Sequence, residues 1–204
     1  MKKTMKKTMN KTMKRMIQLS AGALLFGAFM GSAQANSWAL DHDHTRIGFG
    51  VDHMGYSTTY GYFTEYDGKV RYDRDEPDLL ELEVTIQTGS VMTVSKGLND
   101  HLKTADFFNV ERFPTMTFKG SGFESDDGKT GMVHGELTLL GVTKPVTLNV
   151  ELFKDAVSPM TEVETIGYRA KTTLMRSEWG MNFLSPNVGE AVLITIDGEL
   201  MKVD

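Results

Sequence analysis

The sequence contains no cysteine, so neither a disulfide framework nor a cysteine-ligated metal site can stabilise the fold, and a hydrophobic core has to do so. No apolar run clearly reaches the ~18 residues that a membrane-spanning helix needs. Motifs that carry chemistry are also missing: there is no HExxH and no nucleophile elbow, and "GKTG" at 128–131 lacks the upstream glycine of a phosphate-binding loop. These absences point away from the common enzyme classes.

Positive charge is concentrated at the amino terminus. The first 15 residues carry seven basic and no acidic side chains, and an uncharged apolar run follows, ending in small residues at Ala33 and Ala35. This pattern predicts a cleaved signal peptide over 1–35, with cleavage after Ala35, and export to a bacterial periplasm.

The predicted mature domain, 36–204, is strongly acidic. It holds all 27 acidic residues but only 15 of the 22 basic ones, because the other seven lie in the signal segment, and its formal net charge is therefore −12. Such a surface repels phosphates and anionic headgroups, so we expect no nucleic-acid partner. We also expect no integral membrane segment in the mature chain.

Apolar side chains occupy every second position in several segments. The stretch "RIGFGVDH" places Ile47, Phe49, Val51 and His53 on one face, and "LELEVTIQ", "VHGELTL", "VTLNVEL" and "VLITIDGEL" alternate in the same way. One apolar and one polar face per strand is typical of antiparallel sheets. Turn signals separate these runs, at Asp67-Gly68, at Asp127-Gly128, at 141–145 and at 185–189. About eight strands predict a sandwich or a closed barrel, and the glycines within the strands favour the barrel.

One segment breaks the alternation. Leu98, Leu102, Ala105 and Phe108 follow at spacings of four, three and three, which predicts a short helical excursion around residues 95–108 with Asn99 or Asp100 as its cap. The overlapping stretch "HLKTADFFNVERFPTMTF" adds four phenylalanines: Phe107, Phe108, Phe113 and Phe118. These rings either close one end of a barrel or complete an ordinary core.

These segments, in this order, resemble the YceI-like family of bacterial periplasmic proteins. The resemblance is carried by "HLKTADFFNVERFPTMTF", with "IQTGSV" before it and "GELTLLGVTKPVTLNV" after it, and by "WALDHDHTRIGFGVDHMGYSTTYGYF", "RSEWGMNF" and "GEAVLITIDGEL"; it runs from Trp38 to about Leu200. It implies an all-β fold, an extended eight-stranded antiparallel lipocalin-like barrel with a long apolar lumen. It also implies a long-chain isoprenoid lipid as the ligand, either a polyisoprenoid or an isoprenoid quinone.

The inward face of such a barrel is where its ligand must lie. We therefore expect ligand contacts from twelve residues: Phe49, Val51, His53, Phe63, Leu98, His101, Leu102, Phe107, Phe108, Phe118, Met181 and Phe183. Each could equally belong to an ordinary core. The two histidines could hold a headgroup, or else His53 could bond to a neighbouring backbone group and His101 could simply face solvent.

The sequence "DHDH" at 41–44 is the one cluster that resembles a metal site. On an extended strand His42 and His44 would share a face about 7 Å apart, but a zinc site needs a third ligand from elsewhere. The main prediction is thus a periplasmic lipid carrier without catalytic residues, metal or cofactor, active in transport, storage or stress protection. A metal-assisted hydrolase using His42 and His44, or a protein-binding module, is the alternative. The sequence leaves open whether the chain forms a homodimer.

Overall fold

The computed structural model of the chain describes residues 36–203, so the predicted signal peptide and its cleavage site at Ala35 lie outside the described residues. These residues form eleven strand segments and one α-helix. The strands are β1 (Asn36–Leu40), β2 (Arg46–His53), β3 (Ser57–Phe63), β4 (Tyr66–Tyr72), β5 (Glu81–Gln87), β6 (Val91–Thr93), β7 (Thr115–Glu124), β8 (Thr130–Leu139), β9 (Val142–Val157), β10 (Glu164–Met175) and β11 (Val188–Val203); the helix is α1 (Lys96–Leu102). Short 3-10 turns cover Pro77–Leu79, Thr88–Ser90 and Arg176–Trp179. Within 36–203, no helix is both long and apolar enough to cross a bilayer.

The eleven segments make eight barrel strands, because three barrel strands are each interrupted once. β1 and β2 form one barrel strand, because both pair with β11. β3 and β4 form the next one, in which β3 pairs with β2 and β4 pairs with β1. β5 and β6 form the third, in which β5 pairs with β4 and β6 pairs with β3. Every neighbouring pair is antiparallel, and β1 closes the ring because it hydrogen-bonds to both β4 and β11. The predicted eight-stranded antiparallel barrel is therefore confirmed.

The two ends of the barrel differ in how completely the strands pair. We call the end with the hairpin turns at 125–129 and 158–163 the lower end, and the end with α1 and the turn at 54–56 the upper end. At the upper end β6 pairs with β3, whereas β7 pairs with β5 and β8. The β9–β10 ladder also stops at the pair Lys171–Asn149. The strands thus diverge at the upper end, where α1 and two irregular segments lie.

The helix is shorter than its predicted span and is capped elsewhere. α1 begins after Ser95, whose hydroxyl accepts a hydrogen bond from the Leu98 amide at 3.3 Å, and it ends at Leu102. The predicted cap at Asn99 or Asp100 is wrong: Asn99 is buried, and its Oδ1 accepts from the amide and the hydroxyl of Thr93. Asn99 therefore ties α1 to β6 instead of starting the helix.

Two predicted turn signals lie within strands. Asp67 and Gly68 belong to β4, and a Cβ on Gly68 would stand 2.7 Å from the Leu40 Cδ1, so this glycine permits a close approach rather than a turn. The predicted turn at 141–145 is shorter, because β9 begins at Val142. Pro145 lies in the part of β9 that extends beyond its last pair with β10. On that side β9 is an unpaired edge, and an edge tolerates proline because no partner needs its missing N–H group.

The lower end is sealed by packed aromatic and charged side chains. Trp38 is 2% exposed, its Nε1 donates to the Tyr72 carbonyl at 3.0 Å, and the Arg74 guanidinium lies 5.2 Å from its ring. Arg74 is in turn paired with Asp155. Tyr72 meets Phe123 edge to face, with ring centroids 6.5 Å apart. These contacts close the bottom of the bore.

Candidate functional site: an apolar bore open at one end

The interior of the barrel holds two cavities stacked along its axis. The lower cavity has a volume of about 190 Å³ and the upper cavity about 280 Å³. They share five lining residues, which we call the waist: Phe63, Met116, Leu137, Leu174 and Ile194. The barrel is therefore not filled by its own side chains, and one slim apolar molecule could pass from one cavity to the other through movement at the waist.

The lower cavity is apolar on all sides. None of the residues that line it is Asp, Glu, Lys, Arg or His, and most are inward-facing leucine, valine and isoleucine side chains of the alternating strands. Its few polar groups include the hydroxyls of Thr45 and Tyr168. Burial raises the pKa of the Tyr168 phenol well above its usual range, so this hydroxyl stays neutral. A charged or sugar-like guest would be poorly solvated in this cavity.

The upper cavity is also mainly apolar but has charged and titratable groups near its mouth: Asp52, His53, His101 and Arg176. Asp52 and His53 are exposed at the rim, and the Asp52 carboxylate accepts from the Gly55 amide at 2.9 Å. His101 Nε2 lies 2.8 Å from Asp106 Oδ2. Arg176 alone among these four is buried.

An aromatic wall covers the divergent strands at the upper end. Phe63 at the waist meets Phe108 edge to face, with ring centroids 5.5 Å apart, and its ring is tilted against that of Phe49 at 5.9 Å. Further out, Phe107 contacts His101 and Phe183, with centroid distances of 5.0 and 5.4 Å. Such edge-to-face pairs keep the rings packed where strand hydrogen bonds end.

The structure gathers nearly all the predicted ligand residues around the bore. Nine line the upper cavity, Phe118 lines the lower one and Phe63 lines both; the nine are Phe49, Val51, His53, Leu98, His101, Leu102, Phe107, Phe108 and Met181. Phe183 does not line either cavity and supports Phe107 from outside. Their contact with a ligand stays a prediction.

Phe113 does not join the other three phenylalanines of its stretch. The Arg112 guanidinium lies 5.0 Å from its ring, and the same ring is the nearest neighbour of Gly141 in the β8–β9 turn. Phe113 therefore neither closes the end of the barrel nor joins its core, since it packs between two loops.

Sequence reasoning missed two residues that shape the mouth. Arg176 and Trp179 start and end the 3-10 turn after β10, both are at least 96% buried, and both line the upper cavity. The Trp179 Nε1 donates to the Leu137 carbonyl at 3.3 Å, which draws this turn across the gap above β9. The only signal was the aromatic and charged stretch "RSEWGMNF", whose spacing fits no simple period.

The "DHDH" segment is not the extended strand that was predicted. Residues 41–45 turn between β1 and β2; His42 stacks on Tyr66 at 5.1 Å, whereas His44 Nδ1 lies 2.7 Å from Asp41 Oδ2. The extended geometry that was predicted to place His42 and His44 on one face as a metal-ligand pair is therefore wrong.

A different trio meets at this turn: one ligand atom each of Asp41, His44 and Glu199 lie within 4.8 Å of one another. Burial raises the Asp41 pKa, but hydrogen bonds from His44 and from the Asp43 amide outweigh it, so this pKa lies below its usual value. The hydrogen bond to Asp41, together with the charges of Asp41 and Glu199, raises the His44 pKa. The contact thus behaves as an ion pair that holds the turn.

Fold and site together define a class: an antiparallel β-barrel that is sealed at one end and encloses an apolar bore with polar groups at its mouth. Residues 38–200 match the YceI-like domain. The chain belongs to this family. It is 35% identical to a UPF0312 protein of Photorhabdus laumondii and 34% identical to one of Pseudomonas aeruginosa, over 91% of this chain and 96% and 97% of those proteins.

Solved structures share the fold. BcnA of Burkholderia cenocepacia superposes with a TM-score of 0.68 at 22% identity, over 78% of this chain and 98% of that chain. The Campylobacter jejuni YCEI protein gives 0.65 at 27% identity, over 75% and 90%. A polyisoprenoid binding domain from Saccharophagus degradans gives 0.59 at 12% identity, over 82% and 99%.

Proposed function

We propose that this protein binds a long-chain isoprenoid lipid, a polyisoprenoid or an isoprenoid quinone, inside the barrel. The observation that carries the proposal is the pair of stacked apolar cavities, whose Asp, His and Arg side chains all lie near the upper mouth. A molecule with one polar end and a long apolar tail matches this distribution. The polyisoprenoid binding domain of Saccharophagus degradans, which has the same fold, supports the choice of an isoprenoid.

Hydrocarbon burial can supply the affinity. Each methylene group moved from water into an apolar site gains about 0.8 kcal/mol, so a tail that fills both cavities needs no directed polar contact in the lower one. The tail would approach the side chains that already line the bore, such as Phe118 below and Phe108 above. The depth of the bore, from the upper mouth to the sealed lower end, would limit the length of tail that fits.

We further propose that the protein acts as a carrier or sequestering protein in the periplasm and performs no chemistry of its own. The predicted signal peptide supports the location, and a lower cavity lined without Asp, Glu, Lys, Arg or His supports binding over catalysis. Storage, shuttling between membranes and protection under stress are roles that such a carrier can serve.

Extraction of the native ligand tests the proposal. The full chain is produced with its own leader in a bacterium, purified from the periplasm, extracted with organic solvent and analysed by mass spectrometry. We expect a prenyl compound in near-stoichiometric amount. Lipid-free extracts from several preparations, together with no uptake of added prenyl lipid, would contradict the proposal.

A substitution in the aromatic wall tests the location of the ligand. Phe108→Asp places a carboxylate at a buried site between the waist and α1, so lipid uptake should be lost. Phe153→Asp is the matched control, because Phe153 is 52% exposed on β9. A folded Phe108→Asp protein that takes up lipid normally would place the ligand elsewhere.

A further inference from the structure

We propose that Arg176 anchors the headgroup of the bound lipid, and that the upper cavity therefore selects headgroups presenting a hydrogen-bond acceptor oxygen, a carbonyl or a phosphate, over cationic or purely hydrocarbon ends. This inference rests on the proposed function and deepens it, because it assigns the polar end of the ligand to a particular side chain. It also fixes the orientation of the ligand, with its head at the upper mouth and its tail towards the sealed lower end.

Arg176 is a buried cation in the wall of a lipid-sized cavity. It begins the turn after β10, is only 4% exposed and lines the upper cavity. Its Nε donates to the Gly189 carbonyl at 2.9 Å, Nη1 to the Met181 carbonyl at 2.7 Å, and Nη2 to the Val188 carbonyl at 3.0 Å. The side chain is thus held in one position by the loop that borders the mouth.

These bonds leave part of the guanidinium unused. A guanidinium has five N–H groups and cannot lose its charge in a protein, and three of the five N–H groups of Arg176 are used by the backbone carbonyls. Among the described residues, no carboxylate lies within 4.0 Å of it as a counter-ion. Glu190 is a more distant partner: the hydrogen bond that it accepts from the Ser177 amide at 2.8 Å lowers its pKa most, and the charge of Arg176 contributes least. A buried charge of this kind is stabilised by any acceptor oxygen that reaches it.

The other polar groups of the upper cavity do not offset this charge. Asp52 is exposed at the rim, and its carboxylate is engaged by the Gly55 amide. His101 is engaged by Asp106, and His53 is exposed. Because interactions are stronger in a buried, low-dielectric site than at an exposed one, Arg176 dominates the potential that a headgroup meets inside the cavity.

The lower cavity excludes the opposite orientation. Its lining contains no Asp, Glu, Lys, Arg or His, and Trp38 and Tyr72 close it from below. A headgroup placed there would lose its hydration without gaining a charged partner. The head therefore belongs beside Arg176.

The test compares headgroups on one common tail. Affinities are measured for a geranylgeranyl naphthoquinone, geranylgeranyl phosphate, geranylgeranylamine and the parent hydrocarbon, using delipidated full-length protein. The unaltered protein should bind the quinone or the phosphate roughly tenfold more tightly than the hydrocarbon, and the amine least well. Preference for the quinone identifies a neutral carbonyl as the natural acceptor, and preference for the phosphate an anion. Equal affinities for all four would overturn the inference.

Substitution of the arginine separates recognition from support of the loop. Arg176→Met should remove the roughly tenfold preference while changing hydrocarbon affinity by less than about twofold, and Arg176→Lys should keep part of the preference. Arg169→Met, which removes an outward arginine from β10, is the control. Equal weakening of every ligand would show that Arg176 only supports the loop and would overturn the inference. If Arg176→Met does not fold, the headgroup series on the unaltered protein still decides.

The two proposals fail in different ways. If no ligand of the series binds, including the hydrocarbon, the bore does not take lipid and the proposed function itself is wrong. If the hydrocarbon binds but headgroup and arginine have no effect, lipid binding stands and only the role of Arg176 is wrong.

Discussion

The two ends of the barrel are built from the same strands but are closed by different means. At the lower end β1 pairs on both sides, and Trp38, Tyr72 and Arg74 interlock beneath the lower cavity. At the upper end strand pairing stops early, and α1, the aromatic wall and the 176–179 turn cover the gap. Hydrogen-bonded strands resist opening, whereas loops that pack through side chains open at lower cost. We therefore expect the lower end to provide stability and the upper end to provide access.

The largest expected effect lies at the sealed end. Trp38→Ala removes a side chain that is 2% exposed and should lower the free energy of unfolding by about 3–5 kcal/mol, measured by urea denaturation. Tyr56→Ala, at an upper-end residue that is 87% exposed, should change it by less than about 0.5 kcal/mol. Similar losses in the two variants would remove the distinction between the ends.

The next effect concerns the depth of the bore. Ala170 faces the lower cavity and is 3% exposed, so Ala170→Phe should block the space for the end of the tail. Excluding only two methylene groups costs about 1.6 kcal/mol, roughly tenfold in affinity. Long tails should lose this affinity while short ones keep it, as measured by a series of tail lengths. Thr173→Phe, on the outer face of the same strand, should leave the whole series unchanged; a uniform loss for all tail lengths in Ala170→Phe would contradict the orientation.

A smaller effect is expected from the helix cap. Ser95→Ala removes the acceptor for the Leu98 amide and should destabilise α1 by about 1 kcal/mol. Amide exchange in α1 should become faster, and bound lipid should dissociate faster because α1 covers the mouth. Ser125→Ala, which removes the acceptor for the Gly128 amide in a lower-end turn, serves as the control. Equal acceleration of lipid release in both variants would contradict the expectation that lipid enters and leaves only through the upper end.

The smallest effect is a pH dependence at the break between β1 and β2. The pKa of His44 is raised above 6.5 by its hydrogen bond to Asp41 and by nearby acidic charges. The stabilisation is therefore complete below pH 6.5 and is lost as the pH rises through the raised value. Because His44 is largely exposed, the change should be slight. Urea denaturation on both sides of this range should show the decline, and His44→Gln should abolish it; a slope that persists in the variant would assign it to other groups.

Much of the bore was predictable because inward and outward positions alternate locally along a strand. Leu82, Val84 and Ile86 line the lower cavity as their spacing predicted. Gly68 was misread because the same Asp-Gly pair suits a turn or a close strand approach, and only the position of Leu40 decides between them. The cap at Ser95 was missed because Asn99, which also suits a cap, binds Thr93 instead. The positions of His42 and His44 were missed because a local turn replaces the predicted strand.

The alternation of apolar and polar side chains by itself determined that this chain forms antiparallel strands with one buried face, since that period is a property of the extended backbone. Whether the enclosed space is filled or hollow, and which end is open, was decided by the tertiary structure alone. Those features follow from strand register, from the pairing of β1 with β11 and from the early end of the β9–β10 ladder, which are set by contacts between strands and not by the pattern within one strand.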